Sequence, residues 1–148
     1  MIKTFAVAVV TATFAFSAQA FDVFKDYTVS KEVLNVTFVK VKPNRIDDYL
    51  AGLQQTWMSG CEIGKKMGTL TDCGIYVSET ASNRDFNVIL VMKRPGAGVT
   101  DPDEARYNQF MSEMRAKLAE DKQDKIVEGY DEIRNFFGEQ DFREVTFK

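Results

Sequence analysis

Phe86–Lys93 reads FNVILVMK. Five consecutive apolar residues, Val88-Ile89-Leu90-Val91-Met92, stand in it without alternation. Successive side chains of a strand point to opposite faces, so a strand of this composition seeks burial on both. Just upstream, Ile75–Ser78 (IYVS) reads as a short strand and Thr80–Asp85 (TASNRD) as a polar turn. Two strands joined so closely pair as an antiparallel hairpin.

Working outward toward the N-terminus, Val33–Val41 (VLNVTFVKV) is rich in β-branched and aromatic residues and predicts another strand. It also offers apolar groups to both sides, Val36 and Phe38 to one, Val39 and Val41 to the other. Lys42-Pro43-Asn44 then ends it, with the proline placed for a helix start. Ile46, Tyr49, Leu50, Leu53, Trp57 and Cys61 follow at steps of three and four, which predicts one amphipathic helix ending in the series Gly60, Gly64, Gly68. Toward the C-terminus, Arg94–Val99 is a loop. Asp101 is placed to cap a second helix, with Pro102 in its first turn and Ala105, Phe110, Met111, Met114 and Leu118 as its apolar stripe. Glu120–Lys125 is polar throughout and reads as a solvated stretch or a break before Ile126, Tyr130 and Ile133 restore helical spacing. Phe142–Phe147 (FREVTF) alternates and is expected to be the last strand, while residues 21–32 are expected to form an N-terminal arm.

Strand, helix, strand, strand, helix, strand is the split β-α-β order of an α+β ferredoxin-like domain, here 33–148. It implies four antiparallel strands with the helices on one face. The helices leave one face of a doubly apolar sheet to be covered. A second copy related by a two-fold axis is the simplest cover, giving a face-to-face homodimer. The alternative is the arm, with Phe21, Phe24 and Tyr27, closing that face in a monomer.

From Val33 to Lys148 the chain resembles the dimeric α/β-barrel superfamily of ferredoxin-like proteins. The resemblance rests on this element order, the Lys42-Pro43 start of the first helix and the doubly apolar hairpin strand. It implies two sheets packed face to face, with small ligands held between sheet and helices. The superfamily includes cofactor-free quinone-forming monooxygenases, haem-degrading enzymes and stress-associated proteins.

Met1–Ala20 reads as a cleavable secretory leader. It has one positive charge, Lys3, an apolar run from Phe5 to Phe16 and the small-residue box Ala18-Gln19-Ala20. Cleavage between Ala20 and Phe21 would deliver the chain to the periplasm or the exterior. Cys61 and Cys73 are the chain's two cysteines, and in an oxidising compartment a pair at this spacing invites a disulfide. Of 148 residues none is histidine, and the net charge is −3 without a basic cluster. Nucleic acid and anionic membrane surfaces are therefore not expected partners.

The absence of histidine removes serine–histidine and cysteine–histidine nucleophile pairs, and histidine-ligated metals and haem. No Gly-rich phosphate loop or calcium-loop motif occurs. No catalytic residue, metal ligand or cofactor is therefore assigned. The acidic residues Asp47, Asp48, Asp101, Asp103 and Glu104 sit where helix N-termini favour negative charge. Two readings remain. One is an exported, homodimeric binding or stress-related module for a small apolar or aromatic ligand. The other, implied by the resemblance, is a cofactor-independent monooxygenase acting on a small aromatic substrate. The candidate pocket residues are Asn35, Tyr49, Trp57, Tyr76 and Asn87. Asn35, Tyr49 and Trp57 converging on one cavity would favour the oxygenase, and a filled core with those tips bonded internally would favour the binding module.

Overall fold

The computed structural model describes residues 22–80 and 85–148; the expected leader Met1–Ala20 with its expected cleavage point, and most of the expected turn Thr80–Asp85, lie outside the described residues. The elements in chain order are β1 (Tyr27–Val29), β2 (Val33–Val41), α1 (Ile46–Gln55), α2 (Trp57–Lys66), β3 (Asp72–Val77), β4 (Val88–Arg94), α3 (Glu104–Lys117), α4 (Glu120–Ile133), β5 (Arg134–Phe142) and β6 (Val145–Phe147). Four strands form one antiparallel sheet in the order β3-β4-β2-β5, and β1 pairs with β6 in a separate ribbon. This is the ferredoxin-like α+β architecture.

The register separates the two apolar faces of β4. Val88 and Leu90 lie opposite Val39 and Thr37 of β2 and share the face that meets the helices. There they join Val41, Tyr49, Leu53, Tyr130 and Ile133 in one buried cluster. Ile89 and Val91 lie opposite Phe38 and Val36 on the other face, from which this cluster takes no residue. Tyr76, 60% exposed, and Phe142, 44% exposed, stand on that second face through their pairing with Ile89 and Leu34.

Several boundaries differ from the sequence expectations. The predicted first helix is two, because at Thr56 the backbone turns to φ −100° and ψ −71°. The Thr56 hydroxyl donates to the Gly52 carbonyl at 2.9 Å, a local bond that competes with regular helix. Gly60 and Gly64 lie inside α2, and only Gly68, at φ +72°, ends it in a left-handed turn. A Cβ at Gly64 would come within 2.7 Å of Leu70, so that glycine permits a close approach. The cap of α3 is Asp103, whose carboxylate accepts from the Arg106 backbone N–H, and not Asp101. Glu120–Lys125 is the first part of α4, and the break falls at Leu118-Ala119, where both residues are extended.

The last strand of the sheet is corrected as well. It is Arg134–Phe142, not Phe142–Phe147. Gly138, at φ +150°, sits beside a register shift between Phe38 and Val39, a bulge that interrupts the alternation by which the strand would be recognised. Val145–Phe147 instead pairs with Tyr27–Val29 of the arm, and the Tyr27 and Phe147 rings meet at 6.5 Å.

Cys61 and Cys73 form a disulfide, with Cα atoms 6.2 Å apart, that ties α2 to β3. Among the described residues no helix is long and apolar enough to cross a membrane.

Candidate functional site

A cavity of about 470 Å³ lies between the helices and the sheet. Leu53 of α1, with Trp57, Gly60 and Cys61 of α2, forms one wall. Leu90 and Met92 of β4 form the floor, and Phe110 and Met114 of α3 face Val127 and Tyr130 of α4 across it. Val127 is 44% exposed, so the α4 side of the cavity reaches solvent. The few polar groups in the wall include Thr56, Gln123 and Arg134. A mostly apolar hollow of this size with a few polar groups is the usual form of a small-molecule site. A larger hollow, about 580 Å³, lies between the end of α2 and the start of α3. Its rim carries the charged groups Asp101, Asp103 and Arg106, which bond one another's backbone: Asp103 takes the Arg106 N–H, and the Arg106 guanidinium donates to the Asp101 carbonyl.

At one end of the apolar cavity the polar groups interlock. The Arg134 guanidinium sits 4.7 Å from the Tyr130 ring centre and 5.5 Å from that of Tyr49, and donates to the Tyr49 hydroxyl at 2.9 Å. The two tyrosine rings meet edge to face at 5.0 Å. The Tyr130 hydroxyl bonds the Thr56 hydroxyl at 3.0 Å. Burial pushes the Tyr130 pKa above its ordinary value, with the Thr56 bond pulling the other way.

The five sequence candidates fall in different places. Trp57, the only tryptophan of the chain, lines the cavity. Tyr49 is fully buried behind the wall with its hydroxyl held by Arg134. Asn87 extends the strand ladder: its side chain accepts from the Val41 N–H at 2.7 Å and donates to the Val41 carbonyl at 2.8 Å. Tyr76 stands on the opposite face of the sheet, beside Gly74. Asn35 faces the helix side but bonds sideways to β5, donating to Glu139 at 2.5 Å and to Asp141 at 2.8 Å. Arg94 donates to the other oxygen of Asp141 at 2.6 Å. The Asn35 bond, with Arg94 beside it, holds the Asp141 carboxyl below its ordinary pKa. In this cluster Asn35 Oδ1 and Arg94 Nε are buried without a hydrogen-bond partner. Among the described residues no group of three or more histidine, cysteine or acidic side chains is placed to hold a metal ion.

Arg134 escaped the sequence reading. Its place depends on β5 lying beside β2, and the only local sign was a cation directly after the apolar spacing of Ile126, Tyr130 and Ile133.

No protein-family model and no curated protein matches the chain. Among solved structures it is similar to HapK from Hahella chejuensis, at 10% identity and TM-score 0.45 over 76% of this chain and 91% of that one. It is also similar to a conserved protein of unknown function from Bacteroides thetaiotaomicron, described as "Possible Oxidoreductase", at 14% identity and TM-score 0.45 over 78% and 99% of the two chains. A dimeric ferredoxin-like protein from an uncultured marine organism aligns at 13% identity and TM-score 0.43 over 80% and 90%.

Proposed function

We propose that this chain is an exported module that binds a small, flat, apolar or aromatic molecule in the cavity between helices and sheet, and that it works as a homodimer. The observation that carries the binding reading is the cavity itself, walled by Trp57, Phe110 and Tyr130 over a floor of Leu90 and Met92. The oxygenase alternative asks for Asn35, Tyr49 and Trp57 around one hollow. Trp57 alone lines this one, while Tyr49 and Asn35 spend their polar tips on Arg134, Glu139 and Asp141. That geometry favours binding over turnover. Export rests on the leader sequence, and the Cys61–Cys73 disulfide suits an oxidising compartment.

The dimer rests on the sheet face turned away from the helices. Phe38, Ile89, Val91, Tyr76 and Phe142 share it, an apolar surface that fits a two-fold copy of itself. Native mass spectrometry of the protein from its own host tests both parts. A doubled mass with a bound small molecule is expected, and Val91→Lys should halve the mass while leaving the adduct in place. A bare monomer would overturn both.

A further inference from the structure

Arg134 carries a permanent charge, and it is only half-buried at the wall of an otherwise apolar cavity. Among the described residues no carboxylate lies within ion-pairing distance of it; its neighbours are the Tyr49 and Tyr130 rings and the Tyr49 hydroxyl. The chain does not lack acids for such a partner, since Arg94 has Asp141 and Arg45 has Asp48. The Tyr130 ring at 4.7 Å helps to carry its charge, and the bond to the Tyr49 hydroxyl anchors one of its nitrogens. A planar fork held in this way matches a carboxylate, which it can bind through two parallel N–H donors.

We infer that the cavity selects an organic anion, an aromatic or aliphatic body bearing one carboxylate, with the body against Trp57, Phe110 and Met92 and the carboxylate on Arg134. This rests on the binding reading above and specifies its ligand class. Gln123, also in the wall, adds a neutral polar group to the same cavity.

The test uses the full protein and the neutral fluorophore N-phenyl-1-naphthylamine. Trp57, as the chain's one tryptophan, reports occupancy of the cavity by energy transfer to the bound dye. The dye is then displaced by 1-naphthoate or by 1-naphthamide, which share a ring system and differ in charge. Naphthoate should displace at least about tenfold more tightly, the usual scale of a charge-assisted hydrogen bond. Arg134→Gln should bring the two competitors level, and Arg134→Lys, which keeps the charge but loses the fork, should fall between. Equal displacement by the two competitors in the unaltered protein would overturn the anion assignment and leave the apolar pocket standing. A preference for naphthoate that survives in Arg134→Gln would overturn the role of Arg134. Failure of the dye and both competitors to bind would overturn the pocket reading itself. The contrast in the unaltered protein decides the matter even if a variant fails to fold.

Discussion

Gly52→Ala tests how tightly α4 closes on α1 behind the cavity. A Cβ at Gly52 would meet the Tyr130 hydroxyl oxygen at 2.6 Å, its ring at 2.8 Å and Ile126 at 3.0 Å. Tyr130 is poorly placed to retreat. Thr56 holds its hydroxyl at 3.0 Å, Tyr49 packs against its ring at 5.0 Å, and Arg134 lies 4.7 Å above it. Overpacking of this kind costs about 1–3 kcal/mol. Against it, alanine within a helix gains about 1 kcal/mol over glycine. The expected net effect is a loss of up to about 2 kcal/mol, with a fall in melting temperature of up to roughly 8 °C. Gly129→Ala is the matched control, since Gly129 is exposed on α4 and a Cβ there meets nothing within 4 Å. That variant should gain about 0.5–1 kcal/mol. Urea denaturation followed by far-UV circular dichroism, at one protomer concentration and without reductant, measures both. If Gly52→Ala proves as stable as Gly129→Ala, Tyr130 is free to move and the account of a clamped cavity wall fails.

Three further outcomes follow from the contacts. Replacing Cys61 and Cys73 together by alanine releases a link between residues 12 apart in sequence and should lower stability by about 3 kcal/mol, read as a shift of the urea midpoint. Asn87→Ala removes both side-chain bonds to the Val41 backbone, which is fully buried, and should cost about 1–3 kcal/mol with faster hydrogen exchange at the Val41 amide. The Asp141 carboxyl should titrate below its ordinary value of 3.8, and Asn35→Ala should raise it toward that value, as followed by side-chain NMR. Because the folded pKa is the lower one, the stabilisation from Asp141 is present above the ordinary value and is lost as pH falls through the depressed one. An Asp141 titration unmoved by Asn35→Ala would show that the neighbouring arginines, Arg94 and Arg143, set it without Asn35.

The central strands were legible because their signals are local and mutually consistent. Val33–Val41 matches β2 end to end, and FNVILVMK announces β4 because its unbroken apolar run puts apolar groups on both faces of a strand. The boundaries of α3 and α4 were misread where burial overrides local pattern. Leu118 reads as helix, yet it is extended, with only 9% of its surface exposed, and Glu120–Lys125 reads as a break, yet its polar residues start α4 with their side chains largely in solvent. β5 was hidden for a different reason. It is an edge strand paired only with β2, so its exposed positions tolerate Glu139, Gln140 and Asp141, and the bulge at Gly138 shifts the phase between its halves. The same concealment applied to the site. Trp57 could be found because it continues the apolar spacing that starts at Ile46, and it packs against the core although the helix breaks at Thr56 just before it. Arg134 could not, because the aromatic pair that holds it comes from α1 and α4, segments about eighty residues apart that meet beside the antiparallel pairing of β5 with β2. A polar group whose partners are set by topology carries no periodic signature, and Arg134, the one cation lining the apolar cavity among the described residues, is such a group.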